Sequence, residues 1–97
     1  MNIIWTEDAK QSYYETIDFI LARWTEKEVI RFADEVGHVL DLITVSPFMF
    51  RHSDKMDIRI AIIQKKTSLF YLVNKTEIVL LLFWDNRRNP ATLKILH

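Results

Sequence analysis

The longest uninterrupted apolar run in the chain lies in its C-terminal third and ends in a charged segment. Residues Ile78–Phe83 are all apolar, Trp84 follows them, and the polar stretch Asp85–Asn89 then leads to Pro90. A run of this length that contains Val79 and is flanked by turn residues is typical of a strand buried on both faces, whereas it is short for the alternative, a buried helix. The pattern therefore predicts a central strand with polar groups at its end.

An edge strand and an amphipathic helix are predicted at the start of the chain. Asn2–Trp5 is a short apolar run, and Thr6 has the side chain of a helix N-cap, with Glu7 and Asp8 in the first turn. The helix should extend from about Glu7 to Trp24, because apolar residues recur at steps of three or four. Its predicted buried face comprises Ala9, Tyr13, Ile17, Ile20, Leu21 and Trp24.

A second helix follows almost without a linker. Thr25 and Glu28 have the spacing of a capping box, and Ser46-Pro47 should end the helix. Its apolar face is expected to contain Val29, Phe32, Ala33, Val36, Leu40 and Ile43. Gly37 inside this helix costs about 1 kcal/mol relative to alanine, and we interpret it as a point of close approach between the two helices. Such a short connection predicts an antiparallel helix hairpin.

The remaining segments have strand patterns. Residues 48–55 are a predicted loop, and residues 57–63 alternate, with isoleucines on one face and Arg59 and Ala61 on the other, as in a half-buried strand. Residues 68–73 are the next strand, and both polar connections are short enough for hairpins. The predicted order is β-α-α-β-β-β, an α+β fold in which an N-terminal helix hairpin packs on a small, mostly antiparallel sheet.

Composition limits the classes of protein that this chain can represent. Its 97 residues, 49% of them hydrophobic, suffice for a single domain spanning 1–97. The absence of cysteine excludes disulfides and thiolate zinc sites and is compatible with the cytoplasm. No secretory signal or membrane-spanning segment is expected. The formal net charge is zero, so binding to nucleic acid would require a local basic patch.

The sequence contains none of the motifs that carry well-known chemistries, such as a nucleophile elbow or a phosphate-binding glycine loop. No cofactor and no metal site are expected, because the three histidines are scattered. His38 and His97 are expected to be solvated. His52 is the best candidate for an acid or base, because its loop also carries other charged residues.

The arginines are the stronger candidates for binding. Arg59 leaves the outer face of its strand, and Arg87 and Arg88 follow the central strand. If the meander forms, Arg59 and Arg87 could share a face and hold a phosphate. The alternative is a solvated sheet edge, with Arg87 or Arg88 paired to Asp85 or Asp57.

Aromatic residues could also form a contact surface. Those inside the apolar strands are expected to pack in the core. Phe48 and Phe50 lie in the predicted loop and are therefore the better candidates for an exposed contact patch.

The chain resembles the RelE/ParE superfamily of bacterial toxins from type II toxin–antitoxin systems over nearly its whole length. The resemblance rests on the order of the segments WTEDA, DFILARW, ITVSP, DIRIAII, LFYLV and IVLLLFWDNRRNP. The last segment ends in a D-x-R-x-x-P pattern close to the ParE-like form. The resemblance implies a cytoplasmic toxin of the plasmid-stabilization type, with a cognate antitoxin laid over its surface. Both a homodimer and a hetero-oligomer with the antitoxin are compatible with it.

Two activities are implied by this resemblance. RelE-type members cleave messenger RNA in the ribosomal A site, whereas ParE-type members poison DNA gyrase. Arg59 and Arg87 match basic positions of the RelE type, but Ala61 and Ser68 stand where a lysine and an arginine are expected. No tyrosine follows Arg87, and His97 alone could replace the missing acid or base.

A ParE-like toxin that inhibits DNA gyrase is therefore the favoured function. A RelE-like, ribosome-dependent endoribonuclease and a non-toxic member that only binds the antitoxin are the alternatives. A ribonuclease would rely on Arg59 and Arg87 as its catalytic residues. The expected target-binding residues are Arg59, Arg87, Arg88, Phe48 and Phe50.

Overall fold

The computed structural model describes residues 1–53 and 57–88, in which two helices cover one face of a single five-stranded sheet. The elements are β1 (Asn2–Trp5), α1 (Glu7–Arg23), α2 (Glu26–Val45), β2 (Arg51–His52), β3 (Arg59–Ile63), β4 (Thr67–Asn74) and β5 (Glu77–Asp85). The strand order is β1-β5-β4-β3-β2, with β1 parallel to β5 and the other pairs antiparallel. The predicted α+β class is confirmed, although the short β2 lies in the segment predicted as a loop. The interpretations of Pro90 and His97 fall outside the described residues.

The predicted central strand is β5, which has a hydrogen-bonded neighbour on each side. A bulge at Leu81 reverses the alternation of its side chains, because Phe70 pairs with Leu82 while the next residue of β4 pairs with Leu80. Leu80 therefore faces the helices before the bulge, and Phe83 does so after it. Asp85, two residues further on, consequently lies on the helix-covered face.

The N-terminus of α1 is fixed to β5 by the predicted cap. The Thr6 hydroxyl accepts a hydrogen bond from the Ala9 N–H at 3.0 Å and donates one to the Leu80 carbonyl at 2.8 Å. Beyond Leu80, β1 has ended and the edge of β5 needs another partner. Ser12 supplies it, because its buried hydroxyl accepts the Phe83 N–H at 2.9 Å. The cap thus sets the start of α1 against the sheet.

The predicted buried face of α1 is only partly correct. Ala9 and Ile20 are buried, but so are the polar residues Ser12 and Thr16. Leu21 and Trp24 are 48% and 44% exposed. Tyr13 and Ile17 are partly buried and pack against the core as predicted. The helix approaches the sheet through small hydroxyl side chains, and only Leu21 and Trp24 of the predicted face are exposed.

α2 packs through Phe32, Val36, Val39 and Ile43 and ends before Pro47 as expected. Two local predictions for it are wrong. The Thr25 side chain makes no cap hydrogen bond, and the Glu28 carboxylate instead accepts one from Arg31 at 3.1 Å. A Cβ atom on Gly37 would meet nothing within 4 Å, so this glycine does not mark a close approach between the helices.

β3 is buried on both faces in its middle, which corrects the half-buried prediction. Ala61 and Ile63 belong to the core under the helices. Ile60 belongs to a second cluster on the opposite face, and Ile62 is exposed. Neither helix of the described chain is both long and apolar enough to cross a membrane.

Candidate functional site

The end of β5 carries a buried ion pair. The Asp85 carboxylate is fully buried and accepts hydrogen bonds from the Arg87 backbone N–H at 2.9 Å and from the Arg87 Nε at 2.8 Å. Arg87 Nη2 also donates to Asp85 Oδ2, which completes a bidentate contact. Two of the three guanidinium nitrogens are therefore committed to this carboxylate.

The electrostatics of this pair favour the charged forms of both groups. Burial acts to raise the pKa of Asp85, but the hydrogen bonds from Arg87 and the charges of Arg87 and Arg88 together lower it below its ordinary value. The hydrogen bond to Asp85 raises the pKa of Arg87. Both groups therefore stay charged at neutral pH.

Aromatic rings hold the same guanidinium from the side. The Arg87 Cζ lies 4.4 Å from the centre of the Trp24 ring and 5.4 Å from that of Phe19. Arg23 stacks on the other ring, with its Cζ 3.8 Å from the centre of Phe19. The adjacent pocket has a volume of about 30 Å³, which is enough for a water molecule but not for a nucleotide. It is lined by Ile20, Trp24, Glu28, Gln64, Lys66 and Arg87.

Arg88 contacts a different part of the molecule, Trp84 of β5 and Glu15 of α1. Its guanidinium carbon is 4.4 Å from the centre of the Trp84 ring, and its Nη1 lies 3.9 Å from the Glu15 carboxylate. A half-exposed pair of this length contributes little to stability. Arg88 therefore remains available for contact with a partner.

Arg59 has a structural task at the other end of the sheet. Its Nη1 donates to the carbonyls of Phe48 at 2.9 Å and Phe50 at 3.0 Å, and the Tyr71 hydroxyl donates to the Pro47 carbonyl at 2.7 Å. These bonds fix the connection between α2 and β2. Phe48 is 63% exposed on this connection, whereas Phe50 packs on the core beside the Tyr71 ring. Of the two phenylalanines, only Phe48 offers an exposed surface.

Arg59 and Arg87 are not brought together. The pairing register aligns Ile63 with Thr67 and Thr67 with Asp85, so Arg59 lies four residues away along β3 from the end that carries Arg87. At about 3.3 Å per residue, this separation is roughly 13 Å along the strands. No single phosphate group can bind both guanidinium groups across that distance.

The acid and base candidates are also placed away from Arg87. His52 pairs in register with Arg59, and its Nε2 lies 2.9 Å from the Asp57 carboxylate. The Tyr71 hydroxyl, which also lies near Arg59, is a poor base, because burial outweighs the opposing charge of Arg59 and raises its pKa to about 12. Within the described ranges, no group of three or more histidine, aspartate or glutamate side chains is arranged to hold a metal ion.

Ala61 and Ser68, which stand where the resemblance leads us to expect a lysine and an arginine, have structural roles. Ala61 is fully buried under the helices. Ser68 is buried, and its hydroxyl donates a hydrogen bond to Asn86 Oδ1 at 3.0 Å.

An open groove of about 460 Å³ lies between the two helices and β1. It is lined by Trp5, Lys10, Tyr13, Tyr14, Ala33, Val36, Gly37 and Leu40. Tyr13 packs edge-on against Trp5 with ring centres 5.5 Å apart, while Tyr14 is exposed. Sequence reasoning missed this groove, although the small pair Ala33 and Gly37, one turn apart on α2, is the signal that marks it.

No protein-family model matches this chain, and no curated protein matches it either. A solved structure does: a chain from a structure described as "Chromosomal ParDE TA system from P. aeruginosa" superposes with a TM-score of 0.74 at 15% sequence identity. The match covers 88% of this chain and 95% of that one. The chain therefore has the RelE/ParE-like fold that the order of its sequence segments predicted.

Proposed function

We propose that this chain is the toxin of a type II toxin–antitoxin system, neutralised by a cognate antitoxin and acting in the cytoplasm on DNA gyrase. The observation that carries the proposal is the shared fold with a chain from a chromosomal ParDE structure, which extends over 88% of this chain. The choice of gyrase rests on the ParE-like D-x-R-x-x-P segment at the end of β5.

The arginine geometry supports inhibition by binding rather than cleavage of RNA. A metal-free ribonuclease needs a base, an acid and charge stabilisation around one phosphate. Arg87 is paired with Asp85, Arg59 with two loop carbonyls, and roughly 13 Å of strand separates them. His52 lies at the Arg59 end. The residues that a RelE-type mechanism would use are thus dispersed and occupied.

The groove between the helices is the proposed site for the antitoxin. Aromatic and small side chains line it, and Gly37 leaves empty space where any other residue would project a side chain. A glycine costs about 1 kcal/mol in a helix interior, and no contact with the residues that the structure describes requires one at position 37. An amphipathic antitoxin segment could occupy this space with its apolar face, and an acidic side chain on it could pair with Lys10 at the rim.

Controlled expression in a bacterial host tests the proposal. Expression of this chain alone should arrest growth, and co-expression of the small open reading frame adjacent to its gene should restore it. Normal growth without that partner would favour the alternative of a non-toxic member that only binds an antitoxin.

The target is tested in the arrested cells and with purified components. Gyrase inhibition predicts filamentous cells, a DNA-damage response and loss of supercoiling activity when the chain is added to purified gyrase. Messenger RNA cut within codons in the ribosomal A site, with gyrase unaffected, would refute the gyrase assignment and favour the ribonuclease.

A substitution at Gly37 tests the groove. Gly37→Trp should fill the groove without disturbing the core, because the space around its Cβ is open. It should weaken antitoxin binding by at least tenfold, since the bulk competes directly with the bound segment. His38→Trp places the same ring on the neighbouring exposed position of α2 and serves as the control. Equal affinities of the two variants would refute this binding site.

A further inference from the structure

The formal net charge of zero conceals an uneven distribution along the chain. Residues 1–50 contain nine acidic and four basic residues, whereas residues 51–97 contain four acidic and nine basic ones. The helices α1 and α2 lie in the acidic half, and strands β2 to β5 lie in the basic half. Such asymmetry is typical of a protein that presents a local surface to a charged partner.

Four of the basic residues lie at one end of the sheet, around the exposed Trp24 ring. We call this surface the basic end, and it consists of Arg23, Trp24, Lys65, Lys66 and Arg87. Lys66, Trp24 and Arg87 line the same small pocket, and Arg23 and Arg87 approach the same Phe19 ring. Within the described ranges, no carboxylate lies within 4 Å of the charged atoms of Arg23, Lys65 or Lys66. Their charges are therefore not neutralised by ion pairs.

The turn that carries the two lysines has an unfavourable backbone. Gln64 and Lys65 adopt φ angles of 54° and 63°, the left-handed region that glycine and asparagine occupy most readily. The turn is nevertheless held in place, because the Lys66 N–H donates to the Ile63 carbonyl at 3.1 Å and the Lys66 carbonyl accepts the Asn86 N–H at 2.7 Å. Left-handed conformations at bulky residues cluster at functional sites. Here the sequence retains a lysine where glycine would fit better.

The shape and composition of the basic end indicate which class of anionic partner it can bind. The 30 Å³ pocket cannot enclose a ligand, so the binding partner has to extend across the surface. Arg23 stacks on the Phe19 ring and donates from Nη1 to the Phe19 carbonyl, which leaves its other guanidinium donors for phosphate oxygens, whereas Arg87 is committed to Asp85. Trp24 is 44% exposed beside them and offers aromatic surface on which an unstacked base could stack. Basic residues interleaved with an aromatic ring are typical of single-strand binding surfaces, whereas an acidic peptide would not need the ring.

We propose that the basic end binds single-stranded nucleic acid without cleaving it, with phosphates on Arg23, Lys65 and Lys66 and a base against Trp24. Arg87 positions Trp24 and is held by Asp85. This inference goes beyond the toxin proposal and does not depend on the antitoxin or on gyrase. The basic end is also separate from the groove, because Tyr13 lies on α1 and Trp24 directly follows that helix, eleven residues further on, or about 16 Å at 1.5 Å per residue.

Binding of a fluorescein-labelled single-stranded oligodeoxynucleotide to the purified chain, followed by fluorescence anisotropy at several salt concentrations, tests this inference. The double variant Lys65→Ala/Lys66→Ala should bind more weakly at low salt, and its salt slope should fall by about 1.4, because each phosphate contact with a single strand contributes about 0.7. Trp24→Ala should bind roughly tenfold more weakly with the salt slope unchanged, because it loses stacking rather than charge.

Lys75→Ala is the matched control. Lys75 is exposed and also lies at a left-handed position of a hairpin turn, with φ 32°, but at the opposite end of the sheet. The Lys75→Ala variant should bind the oligonucleotide with the same affinity as the unmodified chain. Thermal denaturation of each variant confirms that it is folded, and the exposed lysines keep the test decisive if Trp24→Ala is unstable.

Three outcomes would overturn the inference. The first is no binding of the oligonucleotide at low salt. The second is equal affinity of the double lysine variant and Lys75→Ala. The third is displacement of the oligonucleotide by polyglutamate of matched charge with no loss of affinity in Trp24→Ala, which would indicate an acidic protein partner instead.

Discussion

Replacing Arg87 by alanine should destabilise the fold, because the arginine neutralises a fully buried carboxylate. Asp85 would retain one hydrogen bond, from the backbone N–H of residue 87, and would lose both side-chain donors. Its position cannot adjust easily, since it ends β5 in register with Thr67. The substitution therefore leaves a buried charge without its partner.

The expected magnitude follows from the exposure of the pair. Removing one partner of a buried ion pair costs about 3–5 kcal/mol. The Arg87 side chain is 32% exposed, so water can reach the carboxylate after truncation, and the lower end, about 3 kcal/mol, applies. In a chain of this size each kcal/mol corresponds to about 4–8 °C, which predicts a fall in Tm of roughly 12–24 °C.

Arg88→Ala provides the control for this experiment. The Arg88 side chain is also 32% exposed and also stacks on a tryptophan, but its ion pair with Glu15 is 3.9 Å long and lies at the surface. Its removal should cost about 1 kcal/mol or less. Urea denaturation of the unmodified chain and of both variants, followed by tryptophan fluorescence, gives the free energies of unfolding.

The pH dependence separates a lost ion pair from lost packing. In the unmodified chain the folded pKa of Asp85 lies below its unfolded value of about 3.9, so its stabilisation is complete above that pH and is lost as the pH falls through the folded pKa. In Arg87→Ala, burial without the partner raises the folded pKa, and the stability of the variant rises as the pH falls from 7 toward 4. The difference between the two free energies should therefore shrink over that range. A constant difference, or an Arg87→Ala cost equal to that of Arg88→Ala, would refute the reasoning.

Three further substitutions have outcomes that thermal denaturation can measure. Gly37→Ala should raise the free energy of unfolding by about 0.5–1 kcal/mol, because the added methyl group meets no neighbour; a loss of stability would contradict the open space seen there. Ser12→Ala should lower it by about 1–3 kcal/mol, since the buried Phe83 N–H loses its acceptor, and an unchanged value would mean that water replaces the hydroxyl. Lys65→Gly should raise it by about 1 kcal/mol, because glycine adopts a φ of 63° without strain, whereas Lys65→Ala should give no such gain.

The elements that the sequence predicts well are those in which the signal is local. Thr6 caps α1 through the Ala9 N–H, three residues away, and the apolar run Ile78–Phe83 lies in the predicted central strand, which is buried on the helix-covered face and partly buried on the other. The interaction that fixes α1 on the sheet is not local, because the Ser12 hydroxyl accepts from Phe83, 71 residues later. A hydropathy pattern counts that serine as polar and therefore assigns it to the solvent-exposed face.

Only some members of the site were predictable from the sequence, and its geometry was not, because the Phe19 and Trp24 rings beside Arg87 were not among the expected site residues. Arg87 and its neighbour Asp85 could be named from the sequence, and their pairing was one of two alternatives. The two alternatives were a free Arg87 that holds a phosphate and an Arg87 that is paired with Asp85. The bulge at Leu81 decides for the pair, because it turns Asp85 to the helix-covered face, where a carboxylate requires a partner. The same register separates Arg59 from Arg87. A bulge depends on how two strands settle against each other and leaves no signature in hydropathy.

The two proposed surfaces together constrain how an antitoxin could act. Both lie along α1, with the groove at Tyr13 and the basic end at Trp24, about 16 Å apart. A helical segment seated in the groove would need about eleven more residues to reach the basic end, whereas about five extended residues would suffice. An acidic extension of that kind would cover Arg23 and Lys66, while a segment confined to the groove would leave them exposed. An antitoxin confined to the groove would leave the basic end free to bind nucleic acid. It could then neutralise the toxin only if the toxin's target contacts the groove.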